Sequence, residues 1–215
     1  MAALSPGQRD LLDAYLREID RFGRRLNLTA IPGAEAAVRH IGESSLLLDV
    51  VAPAPAARVI DIGSGAGVPG VVLAILRPDL GIALLEADVR KSGFLVHVAG
   101  VLGLRSVSVL NRRAEVAAHE AALREQFDVA VSRAAAPPPV LCELALPFLR
   151  VGGRLAALVS DPEAAARQCA AASAACGGTP PQPDARGVLT VAKRAPTPER
   201  LPRRSGVPAR RPLSR

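Results

Sequence analysis

The stretch Val59-Ile60-Asp61-Ile62-Gly63-Ser64-Gly65-Ala66-Gly67-Val68-Pro69-Gly70 constrains the fold more than any other part of the chain. Its β-branched opening reads as a buried strand, and the apolar run after Gly70 reads as a helix. Alternating Gly63, Gly65 and Gly67 let the connecting turn take positive φ and leave no Cβ over it. A strand that turns into a helix through bare backbone belongs at the carboxyl edge of an open α/β sheet, where such sheets bind ligands.

The rest of the sequence repeats that unit. Strand-like runs at 59–63, 81–87, 106–111, 127–134 and 154–160 are separated by helical stretches at 68–76, 88–102, 114–125 and 139–149, and 162–175 follows. Each crossover is long enough for parallel pairing. A mostly parallel, doubly wound Rossmann-like α/β sheet is therefore expected, with helices on both faces and 187–193 as an edge strand or hairpin arm. Ahead of the sheet, Leu11, Leu12, Tyr15, Ile19, Phe22 and Leu26 recur at helical spacing behind Ser5 as N-cap and Pro6 in the first turn. A break at Ile31-Pro32-Gly33 precedes a second helix over 34–51 that carries Arg39, His40, Glu43 and Ser44. The expected organisation is an N-terminal helical cap at 1–52, a main domain at 58–194 and a Pro/Arg-rich tail at 195–215.

A chain of 215 residues suits one core. It holds no run of about 18 apolar residues, and its start lacks the pattern of a secretory signal, so a cytoplasmic protein without membrane attachment is expected. Cys142, Cys169 and Cys176 lack zinc-site spacing and read as small buried hydrophobes, with no metal expected. The net charge of +7 sits at one end, because the segment from Lys193 to Arg215 carries eight basic side chains against Glu199 alone. The body is formally neutral. Such a tail fits a polyanion partner, with Arg203, Arg204, Arg210 and Arg211 as candidate RNA contacts. A solubilising extension, or one packed onto the body by turns around Pro202 and Pro208, is the alternative.

The glycine stretch allows two ligand chemistries. Gly65-x-Gly67-x-x-Gly70 satisfies a dinucleotide fingerprint, with Glu86 as the ribose-binding acid after the next strand. Asp61 argues otherwise, because an acid two residues before the first glycine is typical of methyltransferase loops and unusual in the redox version. Its carboxylate can hold loop amides or the methionine ammonium of S-adenosyl-L-methionine, and the two oxygens of Glu86 can accept both ribose hydroxyls. Glu115, or backbone near it, follows the third strand at the same sheet edge and could meet the adenine amino group. Close helix-to-sheet packing alone would also ask for Gly67 and Gly70.

Several segments together resemble the GidB (RsmG) family of 16S ribosomal RNA guanine-N7 methyltransferases. They are Asn27 to Ile31, Arg39-His40 with Ser44, Asp61 to Gly70, Arg77-Pro78, Arg90-Lys91 to Phe94-Leu95, Gly103-Leu104, Arg113-Ala114-Glu115 and Ser132-Arg133-Ala134. Thr197-Pro198, Pro202-Arg203-Arg204 and Gly206-Val207-Pro208 continue the likeness. The resemblance covers nearly the whole chain. It implies a class I S-adenosyl-L-methionine-dependent methyltransferase acting on 16S ribosomal RNA or the small ribosomal subunit; a monomer is expected. The family's cofactor contacts fall on Gly63, Val68, Ala114, Glu115 and Arg133, with Glu86 at the ribose and Asp61, Gly65 and Gly67 completing the loop. Arg133, His40 and Arg39 are the candidates for the reacting side. No essential general base is expected, because guanine N7 carries an unshared pair and loses no proton first.

The chain departs from the family pattern in three places. Glu43 stands where Asp is usual, and Val159-Ser160 replaces the Lys-Gly that often ends its strand. Aromatic residues are few, which leaves a flipped base without an obvious stacking partner. The rival readings are a non-catalytic RNA- or ribosome-binding protein with a degenerate cofactor fold and a nicotinamide-dependent oxidoreductase.

Overall fold

The computed structural model describes residues 4–28, 33–133 and 135–213. Thr29, Ala30, Ile31 and Pro32 of the inter-helix break, Ala134 and Arg215 lie outside them. The chain opens with α1 (Pro6–Leu26) and α2 (Gly33–Val51). Strands and helices then alternate: β1 (Arg58–Ile62), α3 (Gly70–Leu76), β2 (Gly81–Glu86), α4 (Val89–Val101), β3 (Val107–Asn111), α5 (Ala114–Ala117), β4 (Phe127–Arg133), α6 (Pro138–Ala145), β5 (Leu149–Leu158) and α7 (Pro162–Ala175). A hairpin of β6 (Gln182–Asp184) and β7 (Val188–Ala192) and a short α8 (Val207–Arg210) complete it.

The seven strands form one sheet in the order β3-β2-β1-β4-β5-β7-β6. Pairing is parallel from β3 to β5, and β7 runs antiparallel to both β5 and β6. Chain order reverses between β1 and β4, so the crevice outside their carboxyl ends is the switch point at which such sheets take ligands. Side-chain alternation builds two cores. Val59, Ile82 and Leu84 pack under α1 to α4, whereas Ile60, Ile62, Ala83 and Leu85 pack under α6 and α7.

Local chemistry sets several boundaries. Ser5 and Gln8 form a reciprocal capping box at the start of α1, and Asn27 closes the helix in the left-handed region at φ 51°. Asp88 caps α4 by accepting from the amides of Arg90 and Lys91, and Asp161 caps α7. α3 is buried on every side from Gly70 to Ile75, and its carboxyl end accepts from the Gln8 side chain through the Ile75 and Leu76 carbonyls.

Three elements differ from the sequence expectation. The helix expected over 114–125 ends at Ala117, because the Arg124 guanidinium takes the Ala118 carbonyl and also holds those of Leu201, Thr197 and Pro198. β5 starts at Leu149 rather than 154, since Gly152 (φ +91°) and Gly153 are absorbed as an irregularity in the ladder with β4. The helix expected to reach 149 becomes a tighter turn over Leu146–Phe148 around Pro147.

Residues 195–213 lie against the body as a strap. Leu201 is buried in the second core, and Glu143, which is fully buried, receives the Arg203 guanidinium on both oxygens at 2.8 and 2.6 Å. Lys193, also fully buried, donates to the Leu146 carbonyl and Thr197 Oγ1 and pairs with Glu125 at 3.4 Å. Burial holds its ammonium below the usual lysine range. Part of the positive charge concentrated near this end is thus structural.

Candidate active site

The turn after β1 is held from both sides. Gly63 and Ser64 donate their amides to the Leu85 carbonyl of β2 at 2.9 and 3.1 Å, and Gly67 donates to Ser64 at 2.7 Å. Tyr15 of α1, fully buried, donates to the Ala66 carbonyl at 2.8 Å, so the first helix is fastened to the loop. Ser132 of β4 donates to the Ile62 carbonyl at 2.9 Å and joins the two strand ends at the switch point.

The glycines have different jobs. A Cβ at Gly70 would lie 2.2 Å from Leu84 Cδ2 and 2.7 Å from Asp61 Oδ2, and one at Gly67 2.5 Å from Val71 Cγ2. Those two serve close packing. Gly65 (φ +55°) would place a Cβ no nearer than 3.8 Å to any group of the chain, so the space over it is open to a ligand. A Cβ at Gly63 would meet Ala135 at 2.6 Å. Val68 is 7% exposed and forms part of the core under the loop.

Two carboxylates face this turn. Asp61 is fully buried; Oδ2 accepts from the Gly70 amide at 3.0 Å, and Oδ1 has no hydrogen-bond partner. Burial pushes its pKa up to about 7 against the lowering effect of the Gly70 amide. A buried acceptor left without a donor costs stability and invites a cation or donor from a ligand. Glu86, at the end of β2, accepts from the Gly65 amide (2.9 Å) and the Asp88 amide (2.8 Å), which fixes both oxygens at the loop. Asn111, paired with Glu86 in the β2–β3 register, donates to the Glu86 and Ala87 carbonyls and to Ser92 Oγ.

Across the crevice, Arg133 ends β4 and reaches α2. Its Nε lies 2.7 Å from Glu43 Oε2, and its Nη1 donates to His40 Nδ1 at 2.9 Å. Glu43 also accepts from Arg39 Nε at 2.8 Å. His40 is 1% exposed, and burial, followed by the Arg133 charge, lowers its pKa to about 4. A guanidinium can only donate, so Nδ1 is the acceptor and the neutral ring carries its proton on Nε2, which is buried without a partner. Of the candidates for the reacting side, His40 is packed inside with Nδ1 toward Arg133, and Arg39 is exposed on α2.

Ala114 and Glu115 open α5 beside the end of β3, half-buried, and Glu115 Oε1 accepts the Gly206 amide of the strap at 2.9 Å. A hollow of about 390 Å³ lined by Glu115, His119, Arg200, Pro202 and Arg204 lies there. Of the four strap arginines expected at RNA, Arg204, Arg210 and Arg211 are exposed, and Arg203 is engaged by Glu143. Among the described residues no cluster of His, Cys, Asp and Glu could hold a metal, and no helix is long and apolar enough to cross a membrane.

Sequence reading missed Tyr15, Asn111, Ser132 and Glu143. Tyr15 lies on the apolar stripe of α1, where a tyrosine reads as core. The other three act through partners 19 to 70 residues away.

A family profile described as "GidB: rRNA small subunit methyltransferase G" matches residues 8–179. A protein named Ribosomal RNA small subunit methyltransferase G from Moorella thermoacetica is 41% identical, over 98% of this chain and 92% of its own length. Its namesake from Chloroflexus aggregans is 43% identical over the same shares. Among solved structures, a SAM-dependent O-methyltransferase from Thermotoga maritima superposes with a TM-score of 0.56 at 14% identity, covering 87% of this chain and 72% of that one. That last likeness is one of fold.

Proposed function

The chain belongs to the GidB family, rRNA small subunit methyltransferase G, and from that premise we propose that it transfers a methyl group from S-adenosyl-L-methionine to N7 of a guanine in 16S ribosomal RNA. The observation that carries the cofactor half is the pairing of open space over Gly65 with the unpartnered Asp61 Oδ1 at the switch point.

These residues fit the cofactor. Asp61 Oδ1 would take the methionine ammonium, directly or through water, and Glu86 keeps lone pairs for the ribose hydroxyls. The Gly63 to Val68 turn would lie along the methionine and adenosyl moieties, with Ala114 and Glu115 toward the adenine. When bound, S-adenosyl-L-methionine supplies an electrophilic methyl on a sulfonium. The chain's part in transfer is then positional. Holding N7 and the methyl in line contributes up to about 7 to 11 kcal/mol, and no base has to remove a proton. Arg133, steadied by His40 and Glu43, closes the pocket and donates to guanine O6; Arg39 stands beside it through Glu43.

The RNA half rests on the family and on charge. Exposed Arg204, Arg210 and Arg211 carry cations for phosphate from the strap, and Arg203 serves by fixing it. Residues 1–52 act as a cap over a methyltransferase domain at 58–194, followed by the tail at 195–215, of which residues 195–213 pack beside the domain, in a monomeric cytoplasmic enzyme. Titration calorimetry with S-adenosyl-L-methionine and with NADH tests the cofactor assignment. The first is expected to bind with one site and the second to give no heat; binding of NADH alone would overturn it.

A further inference from the structure

Of the five aromatic side chains in the sequence, four are sealed in the core: Tyr15 (0%), Phe94 (3%), Phe127 (2%) and Phe148 (0%). Phe22 alone is half-exposed. Its ring borders a groove of about 430 Å³ between α1 and α4, lined also by Arg25, Leu26, Arg90, Phe94 and His97. His97 meets the Phe22 ring edge-on at 5.2 Å, Phe94 lies tilted at 5.8 Å, and the Arg21 guanidinium lies over one face of the ring, 5.4 Å from its centroid.

The groove lies between the helix that fastens the glycine loop and the helix that follows β2. α1 climbs from the carboxyl end of α3, which Gln8 touches, to the glycine loop, which Tyr15 touches. Phe22 lies seven residues further, about 10 Å along the helix axis from Tyr15, where it meets Phe94 and His97 of α4. α4 starts where β2 ends, and Asp88 links Arg90 back to Glu86 through two backbone amides.

At the groove Arg21, Arg25 and Arg90 stand against Glu18 and Asp88, an excess of one cation. Glu18 is taken by His97 at 2.7 Å and Arg21 at 3.9 Å, and Asp88 is taken by the first-turn amides of α4 and by Arg90. Arg25 is exposed and makes no ion pair among the described residues. An aromatic face flanked by arginines is the arrangement with which proteins hold single-stranded nucleic acid: bases stack on the ring and phosphates meet the cations.

We propose that this groove binds an unpaired base of the RNA substrate next to the target guanine, stacked on Phe22, with its flanking phosphates on Arg25 and Arg90. The proposal rests on the RNA-methylating reading above and adds where the strand runs: out of the crevice past α4 onto the end of α1.

The test is fluorescence anisotropy with a short fluorescein-labelled single-stranded RNA of mixed sequence, on the parent protein, Phe22→Leu and Phe22→Tyr. Phe22→Leu keeps the apolar packing against Phe94 without the aromatic face and is expected to weaken binding about 5- to 100-fold. Phe22→Tyr is expected to retain parental affinity. Arg25→Ala and Arg90→Ala should each lower the slope of log K against log salt by about 0.7. Equal affinity of parent and Phe22→Leu overturns the proposal. So does an equal loss in Phe22→Tyr, which signals packing, or a loss confined to assembled small subunits with the free strand unaffected, which signals a protein partner. Calorimetry with S-adenosyl-L-methionine, run in parallel, separates the two readings. A parent that binds the cofactor beside a silent Phe22→Leu removes the groove alone; a parent blind to the cofactor but sensitive at Phe22 removes the methyltransferase assignment alone.

Discussion

Arg133, the last residue of β4, donates to Nδ1 of His40 on α2 at 2.9 Å, and so ties the sheet at its switch point to the helix that precedes it. The same guanidinium reaches Glu43 through Nε. One planar fork meets two partners, which an ammonium cannot do in the same geometry.

Arg133→Ala and Arg133→Lys are therefore both expected to lower methyl transfer, by about tenfold or more, as the loss of a hydrogen bond from a charged donor implies. Steady-state assays with labelled S-adenosyl-L-methionine check this. Recovery of the parental rate by lysine would show that charge alone suffices.

Asp61 links stability to ligand binding. Its folded carboxyl keeps a proton up to about pH 7, whereas the unfolded group releases it near its ordinary value of 3.8. Between those values the folded state binds more protons, so this residue's contribution to stability falls as pH rises from about 4 to 7. Asp61→Asn removes that slope. The ligand-free variant should melt above the parent at pH 8, with the difference closing toward pH 5, while S-adenosyl-L-methionine affinity drops about 10- to 100-fold. Thermal melts and calorimetry at the two pH values read both effects.

Gly65→Ala and Gly70→Ala separate cradle from packing. The Gly70 variant drives a methyl into Leu84 and Asp61, and its cost should appear in denaturant unfolding. The Gly65 variant has room within the protein and carries only the penalty of a positive φ, about 1 kcal/mol. It should fold and lose cofactor affinity. Unchanged affinity in Gly65→Ala would move the ligand off the loop.

The strap arginines divide in the same way. Arg203→Ala leaves the Glu143 carboxylate buried and unpaired, a loss of about 3 to 5 kcal/mol in urea unfolding. Arg210→Ala with Arg211→Ala touches only exposed side chains and should leave stability unaltered while flattening the salt dependence of RNA binding.

What could be read from the sequence follows from how local each signal is. The β1 turn was legible because Asp61 and its glycines are neighbours in the chain, and α1 because Ser5, Pro6 and Gln8 write its start. The parallel pairing of the strands followed from the crossover lengths. The strap was not legible, since proline and arginine look the same in a loose tail as in a packed one. What decides is Glu143, 60 residues away, and nothing around it announces a buried acid. The length of α5 failed similarly, because Arg124 takes a helix carbonyl in order to hold a segment more than 70 residues further on. The burial of His40 depends on the packing of α2 against the sheet, which none of its neighbours in the chain announces.

The most direct measurement is methyl transfer to ribosomal RNA itself. Small subunits and free 16S ribosomal RNA from cells lacking the gene would be incubated with the purified chain and labelled S-adenosyl-L-methionine, and the product mapped by cleavage at N7-methylguanine. The account predicts that label enters one guanine, at N7. Cofactor binding with both RNAs left unlabelled, or label on an exocyclic nitrogen or a ribose, would contradict it.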